Sequence, residues 1–241
     1  MKNRYFNNNK HFTAINENYI NNQYFGLYKP IKWVYMITKK QLKIFEVFAK
    51  KPFAEYTRSE IKKESKEKSN NALALAVNKM KAEGVIIEKK VGKSGILKFN
   101  LDNDKAICYI ALCNIERINH IAKLSLERVK KEIEGITNFY SLVVFGSYAE
   151  GKENKDSDLD VAVFIEEEKR RKVIEASMNS AKLKSPLELD VHVISKSEMM
   201  EMLKDKHENL GKQIARKHLA IYNHAIFYEL IRESMNNGFQ P

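Results

Sequence analysis

The sequence predicts an α+β chain of two modules joined by a helix, and three observations predict it. Residues 37–100 read helix, helix, helix and two-stranded hairpin by hydrophobic period and turn chemistry. The apolar run Val143-Val144-Phe145 ends in Gly146-Ser147; ten residues lie between that serine and Asp158-Leu159-Asp160, which opens a second apolar run. A third stretch, Leu187 to Ile194, alternates like a strand and carries Asp190 near its middle.

Residues 1–35 form a low-complexity leader rich in Asn, Tyr and Phe, in which Asn7-Asn8-Asn9 and Asn21-Asn22 break any regular period. Met36 directly precedes a well-patterned helix, so it is expected to be the native start, the alternative being that the leader is an aromatic arm that docks on a partner. From Ile37 to Lys50 the residues Leu42, Ile44, Phe45 and Phe48 share one apolar stripe, and Pro52 stops the helix. Thr57 with Glu60 is a capping box that opens a short second helix. Ser69 or Asn70 caps a third helix that buries Leu73, Val77 and Met80 and ends at Gly84. Val85–Glu88 and Gly95–Phe99 are β-rich and joined across Gly92-Lys93-Ser94-Gly95.

Residues 104–134 are expected to be helical. Ile107, Ile110, Ala111, Ile115, Ile118 and Ile121 recur at helical spacing, followed by Leu126, Val129 and Ile133. The first part, 104–124, is expected to link the modules or to mediate a homodimer, and the second to pack on the sheet of the second module. Gly135 precedes a strand over Tyr140–Phe145; a charged helix over 167–183 follows the Asp158-x-Asp160 strand; 196–217 reads as helix. Leu219–Tyr222 is a short last strand, and 224–241 a terminal helix and tail, with the helix from about Ala225 to Met235.

Composition narrows the function classes. No apolar run approaches the roughly 20 residues that span a bilayer, and the N-terminus lacks the pattern of a secretory signal, so a cytoplasmic protein without a membrane partner is expected. Cys108 and Cys113 suit neither a zinc pair nor a disulfide framework and read as buried free thiols. The net charge of +11 is uneven: residues 36–104 carry 16 Lys/Arg against 9 Asp/Glu, and residues 135–241 carry 15 against 17. The basic part lacks the carboxylate motif, which points to one module for a polyanion and another for chemistry.

In a strand, positions i and i+2 face the same way, so Asp158 and Asp160 would sit side by side. Adjacent carboxylates repel unless a cation lies between them. Gly146 lacks a Cβ and lets the backbone approach a phosphate closely, and the Ser147 hydroxyl can donate to a phosphate oxygen. Together these suggest a divalent metal beside a phosphate-binding turn, a combination suited to phosphoryl or nucleotidyl transfer.

The residues Phe145-Gly146-Ser147-Tyr148-Ala149-Glu150-Gly151 … Asp156-Ser157-Asp158-Leu159-Asp160-Val161, with Asp190 on a later strand, resemble the DNA polymerase β-like nucleotidyltransferase superfamily, and most of all its minimal nucleotidyltransferase branch. The resemblance covers roughly residues 125–223 and implies a small mixed sheet flanked by helices. It implies Asp158, Asp160 and Asp190 as catalytic residues and ligands of two Mg²⁺ ions, with Glu188 as the fallback for Asp190. It implies Gly146 and Ser147 as nucleotide-binding. His192 shares the face of Asp190 and is left unassigned. Many relatives have Arg or Lys where this chain has Glu150; a negative side chain there cannot neutralise a triphosphate, so Lys152 is taken as its substitute, with Lys155 nearby. Asp156 and Ser157 are expected to shape the turn.

Residues 36–103 resemble a winged helix-turn-helix domain, whose third helix enters the major groove while the hairpin touches the backbone. The resemblance implies DNA or RNA contact through residues 37–100, with Ser69, Asn70, Asn71, Asn78, Lys79 and Lys81 facing nucleic acid and Lys89, Lys90 and Lys93 on the wing. The expected function is a Mg²⁺-dependent nucleotidyltransferase. It moves a nucleoside monophosphate, AMP from ATP or that of another NTP, to a hydroxyl and releases pyrophosphate. Minimal members of the family are often antitoxins that adenylylate a partner toxin, which implies a toxin-like protein acceptor. The competing expectation is a winged-helix transcriptional regulator whose C-terminal domain senses nucleotide without turnover.

Overall fold

The computed structural model describes residues 37–92 and 94–241; the leader, Met36 and Lys93 lie outside them. The first elements are α1 (Lys39–Lys50), β1 (Glu55–Tyr56), α2 (Arg58–Glu64), α3 (Asn70–Ala82), β2 (Ile86–Val91) and β3 (Ser94–Phe99). Thr57 closes the capping box with Glu60 at the start of α2, and the Ser69 hydroxyl accepts from Ala72 N–H at the start of α3. β1, which alternation alone does not reveal in two residues, adds to the hairpin to make a three-stranded antiparallel sheet in the order β1-β3-β2. Phe45, Phe48, Tyr56, Phe99 and Tyr109 form a chain of ring contacts at 5.4–6.1 Å that fills the centre of this part.

The stretch 104–134 is two helices, α4 (Asp104–Arg117) and α5 (His120–Glu134), each capped by an asparagine side chain, Asn103 and Asn119. The break at Ile118-Asn119 resets the helical phase. The buried face of α4 is Ala106, Tyr109, Ile110, Cys113 and Asn114, whereas Ile115 and, beyond the break, Ile121, both placed on the apolar stripe by spacing, are exposed. Of the two cysteines expected to be buried free thiols, Cys113 is buried and Cys108 is exposed. Burial pushes the Cys113 thiol up to about 12.

The second sheet holds β4 (Tyr140–Val144), β5 (Leu159–Ile165), β6 (Leu189–Ser195) and β7 (Leu219–Tyr222) in the order β6-β5-β4-β7. β5 and β6 run parallel, and the other pairs are antiparallel, so the sheet is mixed. The remaining helices are α6 (Gly146–Glu150), α7 (Arg171–Lys184, entered through a short 3₁₀ turn), α8 (Lys196–Lys204), α9 (Leu210–Arg216) and α10 (His224–Asn236). The segment expected as one helix over 196–217 is α8 and α9, because Asn209 caps a new helix with its side chain on Lys212 N–H.

Strand parity divides the core. Leu142, Val144, Val161, Val163 and Val193 pack with Leu126, Val129 and Ile133 of α5 and Ile174 and Met178 of α7. On the other face Phe164 meets Phe227 of α10 at 5.4 Å between ring centres. α4 joins α1 to the second sheet: Cys113 Sγ lies 3.9 Å from Leu42 O of α1, and the Asn114 amide donates to Ala220 O on the edge strand β7. Lys39–Pro241 accordingly forms one compact unit. No helix of the described residues is long and apolar enough to cross a membrane.

Candidate active site

The end of β4, the start of β5 and the start of β6 meet at one end of the second sheet. Phe145 N–H donates to Asp160 O at 3.1 Å, which fixes the turn into α6 against the first turn of β5. Gly146 then adopts φ +63°, a left-handed conformation costly for any residue with a Cβ. A Cβ there would lie 2.8 Å from Asp160 Cγ and closer still to its carboxylate oxygen. Glycine is therefore demanded twice, by the backbone and by the acid beside it. Gly146 and Ser147 are half-buried.

Asp160 and Asp190 are direct register partners on the parallel pair β5 and β6. Neighbouring strands lie about 4.8 Å apart, and in-register residues of a parallel pair point to the same face. That face is opposite to the one covered by α5 and α7. Asp158 precedes β5 by one residue and is exposed. Burial raises the Asp160 carboxyl above its ordinary value, and the negative charges of Asp190 and then Asp158 raise it further, with His192 opposing. Neither Asp158 nor Asp160 makes a side-chain hydrogen bond or ion pair among the described residues. Such a carboxylate, partly desolvated, repelled and unpaired, suits a hard divalent cation with oxygen preference. Among the described residues no three His, Cys, Asp or Glu side chains converge closely enough to hold an ion as they stand.

Two partners here were not read from the sequence. His192 Nε2 lies 3.0 Å from Asp190 Oδ2, and its ring packs 5.7 Å from that of Phe145. The i, i+2 spacing of Asp190 and His192 signals the first contact, and only the fold supplies the second. Arg117, the last residue of α4, donates to Ala149 O at 2.7 Å and so holds the end of α6. Burial lowers the Arg117 guanidinium below its ordinary value.

Glu150 is held by Lys152 and Lys217, each at 2.6 Å. Hydrogen bonds from Lys152 first and Lys217 second bring its carboxyl down to about 2. Lys152, taken from the sequence as a free phosphate ligand, is thus paired with the acid it was meant to replace, while Lys217 comes from the start of the distant β7 segment. Loop 151–158 is shaped by Asn154 and Ser157: Asn154 Oδ1 accepts from Asp156 N–H, and Ser157 Oγ accepts from Asn154 N–H. Glu188 is exposed and contributes its carbonyl to Leu159 N–H. At the opposite end of the sheet lies a groove of about 290 Å³, lined by Phe139, Phe164 and Ile226, remote from these acids.

The residues expected to face nucleic acid fall into two groups. Asn71 and Asn78 on α3 and Lys89 and Lys90 on β2 are exposed. Asn70 is also exposed, but it accepts from Lys62 Nζ at 2.5 Å; Lys79 lies 3.9 Å from Glu83, and Lys81 is bonded to Glu88. Lys93 is outside the described residues.

One solved chain, from a "Crystal structure of the toxin-antitoxin with AMP-PNP", is similar at 18% identity over 46% of this chain and 86% of that chain, with a TM-score of 0.30, too slight a likeness to carry an inference. No curated protein sequence matches significantly. The nucleotidyltransferase domain family is matched by residues 126–223, the stretch that runs from α5 to the end of β7 and carries every acid of the site.

Proposed function

We propose that residues 125–223 catalyse Mg²⁺-dependent transfer of a nucleoside monophosphate, from ATP or another NTP, to a hydroxyl acceptor with release of pyrophosphate. The observation that carries this reading is the register pairing of Asp160 with Asp190 beside the Cβ-free turn at Gly146. Asp158, Asp160 and Asp190 are the residues that would hold two Mg²⁺ ions once drawn together around them, and bound Mg²⁺ would supply charge neutralisation for attacking and leaving oxygens. The Gly146-Ser147 turn admits the triphosphate to close approach and offers the serine hydroxyl as a donor. Asp190, oriented by His192, is placed to accept the proton of the acceptor hydroxyl. Lys152 and Lys217 outnumber Glu150 and leave a local net positive charge for the leaving pyrophosphate.

Residues 36–103 we read as a winged helix-turn-helix module that carries this enzyme to nucleic acid. Its order, helix, strand, helix, helix and hairpin, supports that reading, as does its excess of cations. The acceptor is a protein hydroxyl of a toxin-like partner or a nucleic-acid end. The test is incubation of the protein and Mg²⁺ with labelled ATP, GTP, CTP and UTP beside protein and RNA acceptors. An Asp158→Ala/Asp160→Ala variant runs in parallel. Label should pass to one acceptor and vanish in the double variant. Transfer that persists refutes the assignment, and nucleotide binding without transfer makes the domain a sensor.

A further inference from the structure

Helix α3 turns one uncharged stripe to solvent. Leu73, Ala76, Val77 and Met80 are buried, whereas Asn71, Leu75 and Asn78 lie exposed on the opposite side at i, i+4 and i+7. Leu75 stands at the centre of that stripe and is 60% exposed, an apolar side chain turned largely to solvent. The amides of Asn71 and Asn78 make no hydrogen bond among the described residues. Cations border the stripe: Lys79 lies one turn beyond Leu75 and 3.9 Å from Glu83, Lys81 is tied to Glu88, and Lys62 to Asn70. Farther out, Lys66 and Lys68 between α2 and α3, and Lys89 and Lys90 on β2, are exposed.

Amides without charge, an apolar centre and a cationic border match one kind of surface. The phosphates of a duplex meet the border, and base edges meet the stripe. Guanine is read by Arg or Lys, and the lysines that adjoin the stripe, Lys79 and Lys81, lie by Glu83 and Glu88; adenine takes a bidentate Asn, and the thymine methyl takes an apolar contact. Asn71 and Asn78 are two helical turns apart, about 10.5 Å at 1.5 Å per residue. That spans about three base-pair steps of 3.4 Å. A-form RNA is a poor fit, because its narrow major groove does not admit a helix.

We infer that α3 reads A·T pairs in the major groove of duplex DNA, with Asn71 and Asn78 on adenine edges and Leu75 on a thymine methyl between them. The inference rests on the reading of residues 36–103 as a DNA-binding module and adds the base preference.

The test is selection of bound duplexes by the full chain from a pool with a randomised core, followed by affinity measurements on the winner across salt concentrations. The wild type should enrich A·T pairs at two to four adjacent positions. Replacing their thymines with uracil, which removes only the methyl, should weaken binding several-fold, and Leu75→Ala should make the protein indifferent to that replacement. Asn71→Ala/Asn78→Ala should lose roughly tenfold or more of the A·T preference while keeping the salt slope. Both sites are exposed, so the variants should keep the wild-type melting temperature. Salt-dependent binding with no base enrichment, or enrichment of G·C, overturns the A·T reading and leaves the DNA-binding module standing. Absence of duplex binding at low salt overturns both.

Discussion

Gly146 is the residue on which the geometry of the site turns. Its φ of +63° and the Asp160 carboxylate packed against its α-carbon leave no room for a methyl group. Gly146→Ala should therefore cost about 1–3 kcal/mol in stability through backbone strain alone. It should also displace Asp160, and transfer activity should fall far more than stability does. Urea denaturation beside a transfer assay checks the pair; an unaltered stability would show that the turn relaxes. His218 makes a different prediction. Its ring is fully enclosed, Nδ1 facing the carbonyls of Ile214 and Ala215 and Nε2 facing Tyr228 Oη at 3.0 Å. Those carbonyls fix the proton on Nδ1, so Nε2 accepts from the tyrosine hydroxyl. Burial lowers its pKa to about 4. A folded pKa below the unfolded one means that the unfolded chain binds the proton first as pH falls. The stabilisation is full above about pH 6.5 and is lost progressively down to about pH 4, by about 3 kcal/mol in all. Urea midpoints measured between pH 7.5 and 4.5 should fall along this course, and more gently in His218→Gln.

Helix α6 has only five residues and keeps its place by contacts at its end. Arg117 reaches from α4 to Ala149 O, and Glu150 is clamped by two lysines from different elements. Arg117→Met preserves the stem but leaves that carbonyl without its donor, a loss of about 1–3 kcal/mol. Amide exchange should accelerate over 146–151 before it does in β4. Uniform acceleration across the chain would mean that Arg117 supports the whole core instead. Glu150→Gln removes the negative charge between Lys152 and Lys217 and releases both amines. Under the proposed chemistry the affinity for ATP should rise several-fold, read as Kd by titration, and an unchanged Kd would place these lysines outside nucleotide contact. The strand pair β5 and β6 carries the same lesson in register: a one-residue slip would turn Asp190 to the α5 and α7 face, so the apolar partners of Val161 and Val163 hold the acids in place.

Across the whole molecule, the charge asymmetry is an expectation about salt. If residues 36–103 grip a polyanion, Lys89→Ala/Lys90→Ala should lower duplex affinity and reduce the salt slope by up to about two. Nucleotide transfer in the distant site should be left unchanged by the same pair. Much of this architecture was legible from local rules: the capping box at Thr57, the alternation about Asp190, and the glycine that ends the run at Phe145 each follow from nearest neighbours along the chain. The break at Asn119, the short strand Glu55–Tyr56 and the exposure of Ile115 were not, because a cap in mid-helix and a two-residue strand leave almost no periodic signal. Residue types and spacing by themselves singled out Asp158, Asp160, Asp190 and Gly146, and the structure sets Asp160 beside both Asp190 and Gly146. Only the tertiary structure decided their company, setting His192 against Asp190, Arg117 against Ala149 and Lys217 against Glu150. The second and third of these pairs join residues far apart in sequence, and no local pattern encodes a contact made by packing.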